Sequence, residues 1–314
     1  MSISSTPESP SAAVEIDIAG LCCPVCRCEL VPESAVLRCT ACDRVYPEVG
    51  GIPCLIDPGV SVFGHNPPPA PTPSLATRLL PALSGNPVSV GNYRRFLQQA
   101  LAESDRPRIL ILGGAAVGKG LGSFLDDSRV DWVETDVFPS ARTLLLCDAH
   151  QVPFEDSTFD AVVAQALLEH TLDPQLVISE IHRVLQPCGM VYAETPFMQQ
   201  VHAGAHDFTR YTHLGHRRLF RFFEEIDSGP ACGPGMAFAW SWQAFLTSFA
   251  RGHTGRRFAT LIARLTAFWL KYLDPFLVRQ AAAYDGASSF YFWGRRTTEP
   301  LDDRELIASY RGIQ

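Results

Sequence analysis

Residues 108–120 read RILILGGAAVGKG, an apolar run of five closed by a glycine-rich turn. A short apolar run bounded by glycine predicts a buried strand, and glycines after it let the backbone approach a ligand closely. Two kinds of ligand compete for such a turn. Gly113 and Gly118-Lys119 keep the G-x-x-x-x-G-K spacing of a phosphate-cradling P-loop, but Gly120 stands where that loop needs a Ser or Thr hydroxyl for magnesium. Asp136 instead closes the next strand-like stretch, VDWVETD at 130–136, about 20 residues on, where a carboxylate holds ribose hydroxyls. The adenosine reading is preferred.

Outward from the turn, helical and strand patterns alternate. A helix is predicted over 90–102, strands over 143–148, 159–165, 190–194 and 288–294, and a helix after Asp173 and Pro174, which sit in cap and first-turn positions. Strands separated by helices predict an α/β fold with a doubly wound, mostly parallel, Rossmann-like sheet. Ligands of such sheets bind beyond the carboxyl ends of the strands, which puts Gly113 in the crevice.

An adenosine site serves a dinucleotide or S-adenosylmethionine. The stretch 113–118 does not keep the G-x-G-x-x-G spacing of a pyrophosphate loop. Downstream, CDAHQVPF (147–154), STFDAVVAQALLEH (157–170) and ISEIHRVLQPCGMVYAETPF (178–197) resemble the class I S-adenosylmethionine-dependent methyltransferases of the type 11 kind, a likeness running over about 108–220. The resemblance implies that Gly113, Gly114 and Gly118 approach the methionine and ribose, and that Asp136 holds the ribose hydroxyls. It also implies that Asp148 and Ala149 meet the adenine edge and that Gln165, with Ala166, lies beside the sulfonium. The chain departs from the family's pattern at Ile111, usually acidic, and at Ala115, usually glycine. Those departures leave a non-catalytic S-adenosylmethionine-binding protein as an alternative.

Near the start, Cys23-Pro-Val-Cys26 and Cys39-Thr-Ala-Cys42 form two C-x-x-C knuckles, the spacing of a closed, structural zinc site. Cys22 and Cys28 break that spacing and read as neighbours; Cys54 reads as a small buried residue. A module this short cannot bury a core, and zinc supplies the missing folding energy, about 10–16 kcal/mol in such peptides. With Tyr46-Pro47 and Gly51-Ile52-Pro53 following, the stretch 21–57 resembles the methyltransferase-activating zinc-ribbon family. That resemblance implies a helper module. It also suggests an RNA or translation-factor methyltransferase carrying its activator in cis.

The acceptor side is sought after the fifth strand of the catalytic unit, where His202, His206, Asp207, Arg210, Tyr211, His213 and His216 crowd together. One reading makes His206 a general base oriented by Asp207, with Arg210 and Tyr211 gripping the acceptor. The other has Asp207, Arg210 and Tyr211 pinning a lid and the histidines packing. Glu169-His170 reads as a structural pair at a helix end. Two aromatic-rich stretches within 236–284 read as apolar helices inserted before the last strand, either buried or forming a lipid-binding hairpin.

The sequence divides into a tail (1–18), a zinc ribbon (19–57), a Pro-rich linker (58–85), the methyltransferase domain (86–297, insert 236–284) and a C-terminal tail (298–314). The ends and the linker read as unfolded. With 46% hydrophobic and 19% charged residues the rest is globular, and the net charge of −7 argues against a nucleic-acid groove. The start lacks a secretory pattern, and the longest uncharged apolar stretch, 236–250, falls short of the about 20 residues a spanning helix needs. A cytoplasmic location with reduced cysteines is expected. These features predict methyl transfer to a small, lipid-linked or glycan acceptor, with possible contact to a membrane surface.

Overall fold

The computed structural model describes residues 18–34, 36–63, 81–115 and 121–314. Two sheets form. The first is a four-stranded antiparallel meander, β1 (Leu30–Glu33), β2 (Val36–Cys39), β3 (Val45–Val49) and β4 (Ile52–Pro53). The second has seven strands: β5 (Arg108–Leu112), β6 (Asp131–Asp136), β7 (Leu145–Leu146), β8 (Phe159–Gln165), β9 (Leu185–Pro196), β10 (Phe223–Cys232) and β11 (Ser289–Arg296).

The large sheet has the order β10-β11-β9-β8-β5-β6-β7, with β11 antiparallel to both neighbours and the β7-to-β9 pairings parallel. The chain runs outward from β5 to β7, then crosses back to β8 and proceeds the other way. The strand order therefore reverses between β5 and β8, and Gly113 sits at that switch point. This is an α/β fold with a mostly parallel, Rossmann-like sheet. One face is covered by α1 (Pro87–Glu103), whose Tyr93 and Phe96 pack on Tyr192 and Trp293. The other is covered by α2 (Pro174–Val184) through Val177, Ile181 and Val184; α3 (His213–Leu219) follows β9 in the chain. Asp173 caps α2 by accepting from the amides of Gln175 and Leu176, and Pro174 begins it, as the sequence predicts.

The meander continues the large sheet. Cys54 bridges Leu146 in parallel, the Leu55 amide donates to the Leu146 carbonyl at 2.8 Å, and Cys54, Leu55 and Ile56 are buried. A second seam runs from Leu21 to Phe154, where the Cys22 amide donates to the Pro153 carbonyl.

Three expectations need correction. The linker, read as an unpacked spacer from 58, begins against the crevice: Ser61 bonds to Asp148 and Phe63 meets Phe138 and His206. The C-terminal stretch is not an unfolded tail. Helix α8 (Asp303–Ala308) buries Leu306, and Arg311 bonds to Glu225 and the Ser228 carbonyl, because β10 offers a carboxylate and a free carbonyl on its outer edge. The insert is helical but mostly exposed. It holds α4 (Pro234–Ser248), α5 (Gly252–Ala267) and the short α6 (Asp274–Leu277) and α7 (Ala283–Gly286).

Buried Asp274 fastens the start of α4 by accepting from the amides of Gly235 and Met236 at 2.8 and 3.0 Å. A Cβ on Gly235 would lie 2.5 Å from the Leu270 carbonyl oxygen, so only glycine allows this approach. Phe238, Phe245, Phe249, Phe258, Tyr272 and Phe276 all face outward, more than half exposed. Among the described residues no helix is long and apolar enough to cross a membrane.

Candidate cofactor and acceptor sites

At the end of β5 the chain must turn without a side chain. Gly113 takes φ +81°, and a Cβ there would press to 3.3 Å from Leu167. The amides of Gly113 and Gly114 both donate to the Thr135 carbonyl at 3.0 Å, which ties the turn to β6. Asp136 closes β6 and points back at the turn: its Oδ2 accepts from the Ala115 amide and its Oδ1 from the Phe138 amide, each at 2.8 Å. Burial pushes this carboxyl up. The carboxylate keeps lone pairs for ribose hydroxyls, so the turn and the acid fit the sugar of an adenosine cofactor. Gly118 lies outside the described residues.

Asp148 is oriented as tightly. Its Oδ1 accepts from the His150 amide at 3.0 Å and from His150 Nδ1 at 2.6 Å; His150 Nε2 in turn accepts from the Asp173 amide, which fixes the tautomer. Ser61 donates to Oδ2 at 2.5 Å. Burial raises this carboxyl, but the His150 and Ser61 donors outweigh it and hold it below the usual range. Three donors already serve the oxygens expected to meet adenine, so an exocyclic amine reaches Asp148 only by sharing or displacing Ser61. Ala149 is buried beside it. Ser61, Asp148, His150 and Leu176 line one small cleft.

Gln165 ends β8 and donates through Nε2 to Glu194 at 3.0 Å; Tyr192 and Asn86 hold the same carboxylate. Ala166 follows in the left-handed region, φ +49°, a strain that throws Leu167 over Gly113 and starts the 3₁₀ turn Leu168–His170.

The acceptor-side residues do not assemble as the general-base reading requires; their bonds are those of the loop-pinning reading. His206 is exposed and stacks its ring on Phe63 at 5.5 Å. Asp207 does not orient His206. Both its oxygens bond to Arg210, it accepts from the His202 amide at 2.9 Å, and His202 Nδ1 stands 3.4 Å from it. The Arg210 bonds hold the Asp207 carboxyl far below its ordinary value. Arg210 also donates to the Gln199 and Gln200 carbonyls, so the pair fastens the loop after β9 and grips nothing outside it. Tyr211 is half-buried beside His216. His213 and His216 are packing residues: they meet Ser228 and Thr195, and burial pushes them down to about 4 and about 3.

Nor is Glu169-His170 a bonded pair. Glu169 is fully buried, neither oxygen has a hydrogen-bond partner among the described residues, and burial pushes its carboxyl up to about 8. His170 Nε2 and His202 Nε2 each stand 3.8 Å from its Oε1. Spacing alone does not bring His202, some thirty positions on, to Glu169; the parallel pairing of β8 with β9 does.

The four knuckle thiols lie within 4.8 Å of one another, with Cys23 and Cys42 Sγ 3.7 Å apart and Cys26 and Cys39 Sγ 3.3 Å apart. A tetrahedral zinc with Zn–S near 2.3 Å separates sulfurs by about 3.8 Å, so the cluster is compatible with zinc. Each knuckle ends in a left-handed residue, Arg27 and Asp43, and Tyr46 Oη lies 3.2 Å from Cys23 Sγ.

Residues 125–193 match the family described as Methyltransferase domain. A stretch of 44 residues is 46% identical to the Ubiquinone/menaquinone biosynthesis C-methyltransferase UbiE of Desulfotalea psychrophila, covering 14% of this chain. The chain spans only 18% of the length of that relative. Similar solved structures include Haemonchus contortus phosphoethanolamine N-methyltransferase 2 with phosphomonomethylethanolamine and S-adenosylhomocysteine (13% identity, TM-score 0.42, 67% of this chain and 53% of that one). Another is Burkholderia thailandensis 1,6-didemethyltoxoflavin-N1-methyltransferase (14% identity, TM-score 0.39, 67% and 79%). The family match supports a methyltransferase domain over residues 125–193.

Proposed function

We propose that this protein transfers a methyl group from S-adenosylmethionine to an acceptor carried on a lipid or lipid-linked glycan at a membrane surface. The observation that carries the cofactor half is Asp136 turned onto the glycine turn at the strand switch point. Methyl transfer is an in-line displacement, so the protein's main task is alignment of the acceptor with the sulfonium. Gln165, ending β8, is the residue assigned beside that sulfonium, and zinc is assigned a structural role in the ribbon.

The acceptor half rests on the insert. It leaves β10 and returns to β11 at the edge where β9 ends, since Cys232, Ser289 and Pro196 are in register. That is the crevice side. Its outward aromatics are flanked by the exposed Arg251, Arg256, Arg257 and Arg279, while Asp274 is buried and Asp285 accepts from Tyr310 Oη. In a chain of net charge −7, apolar surface ringed with cations suits an anionic bilayer surface.

Incubation with methyl-labelled S-adenosylmethionine and fractionated cell extract tests the reading. Label is expected in the lipid-extractable fraction. Label confined to RNA or protein overturns the acceptor class and favours the second reading, an enzyme with its activator in cis, which the buried seam at Cys54–Ile56 supports. Co-sedimentation is expected with anionic vesicles and not with zwitterionic ones.

A further inference from the structure

Glu169 is the group the cofactor site leaves unexplained. A carboxylate with both oxygens buried and unbonded costs several kcal/mol unless a cation meets it. Arg210 is not that cation: its guanidinium is held by Asp207 and by backbone carbonyls. The groups that face Oε1 are two imidazoles, and both turn the same atom toward it. His170 Nδ1 lies 2.7 Å from the His206 carbonyl, which only accepts, so Nδ1 carries the hydrogen. His202 Nδ1 faces the Gln200 carbonyl and Asp207, both acceptors, and carries its hydrogen too. In the neutral rings Nε2 is then a bare lone pair. Two imidazole lone pairs and one carboxylate oxygen converge at 3.8 Å, beyond hydrogen-bonding distance.

Three acceptors facing one another repel unless a cation sits among them, and a single proton satisfies one pair only. A first-row divalent ion satisfies all three: bonds of about 2.0–2.2 Å place neighbouring donor atoms about 3–3.5 Å apart, against 3.8 Å for each imidazole-to-carboxylate separation and at most 4.8 Å among the three atoms here. The surroundings are those of a metal site, since each ligating ring has its other nitrogen fixed by a carbonyl or carboxylate. Two histidines and one carboxylate leave coordination positions open. The open side faces outward: the His170 and His202 side chains are 26% and 31% exposed, and Glu169 forms the floor.

We propose that Glu169, His170 and His202 bind one divalent transition-metal ion that takes the acceptor's hydroxyl as a further ligand. The site follows the carboxyl ends of the paired strands β8 and β9, and Leu167, two residues before Glu169, packs on the turn at Gly113. This deepens the methyltransferase reading and rests on it for the chemistry. The bound hydroxyl loses its proton to solvent, the oxygen attacks the methyl carbon, and the carbon–sulfur bond breaks with its electron pair left on sulfur. The oxyanion and sulfonium charges cancel, giving a methyl ether and S-adenosylhomocysteine. Asp207 acts as a positioning residue through His202.

The test is cobalt(II) binding to the metal-stripped full chain, followed by absorption. Thiolate-to-cobalt charge-transfer bands report the ribbon, whereas a site of two nitrogens and one carboxylate adds only weaker d–d bands. Wild type is expected to fill both. Glu169→Gln and, on an exposed loop where folding is safe, His202→Ala are expected to lose about one equivalent and the weaker bands while keeping the thiolate bands. Asp207→Asn is expected to weaken this site about 10–100-fold. Acetohydroxamate, a bidentate oxygen ligand, is expected to shift the weaker bands; no shift means a closed ion and overturns the acceptor role. Equal cobalt content in wild type and both variants overturns the site itself. Cobalt binding needs no S-adenosylmethionine, so failure of the methyltransferase reading, seen as no cofactor binding, is read separately.

Discussion

Replacing Leu55 by Ala probes whether the ribbon is part of the catalytic body or only tethered to it. Leu55 is 1% exposed, lies between fully buried Cys54 and Ile56, and donates its amide to Leu146 at the sheet edge. The substitution deletes three carbons, about 2.4 kcal/mol at about 0.8 kcal/mol each. The cavity left between two elements that cannot both close on it raises the loss to about 3–4 kcal/mol. The assay is urea unfolding followed by tryptophan fluorescence. Trp132, Trp240, Trp242, Trp269 and Trp293 all lie outside the ribbon, so the signal reports the sheet and insert alone. A lower midpoint with an unchanged slope is expected, because the ribbon and sheet share one buried cluster. A tryptophan transition unmoved within about 0.5 kcal/mol would refute the reasoning and make the ribbon an independent appendage.

Three further outcomes are expected. Stripping metal from the ribbon removes about 10–16 kcal/mol of folding energy and should expose the Leu55 amide to hydrogen exchange; unchanged protection would contradict a folded-by-zinc module. His213 and His216 have folded pKa values below the ordinary 6.5, so their contribution is full above that pH and is lost as pH falls toward about 4 and about 3. The melting temperature should fall steeply across that window, and His216→Asn should flatten the slope. Asp207→Asn breaks the bidentate pair with Arg210 at a cost of about 1.5–3 kcal/mol, and limited proteolysis should then cut within 197–212.

Six of the seven strands of the large sheet were legible as short apolar runs, and Asp173-Pro174 announces α2 by local chemistry alone; β10 (Phe223–Cys232) was not, because FEEIDSGPAC is too polar at its start to read as an apolar strand. Asp136 was legible for the same reason: it ends a strand whose neighbour ends in glycine. The knuckle cysteines carry their geometry in their spacing. The acceptor side was not legible in this way. Adjacent His206 and Asp207 invite pairing on paper, but the 3₁₀ turn Gly204–His206 sends the imidazole onto Phe63 while the carboxylate turns back to His202 and Arg210. Glu169 looked like a helix-end residue; its burial follows from the Ala166 kink, which no local pattern predicts. Ser61 and Phe63 lie in a Pro-rich stretch whose composition reads as spacer, and only the seam at Leu146 brings them to the crevice.

The most direct test of the central claim is calorimetric titration of the purified chain with S-adenosylmethionine, repeated on Asp136→Ala. The account predicts one saturable site in the wild type. It predicts an affinity lower by about 10–100-fold in the variant, the loss of one or two hydrogen bonds to a charged acceptor. Equal affinity in both proteins, or no binding to the wild type, would contradict it.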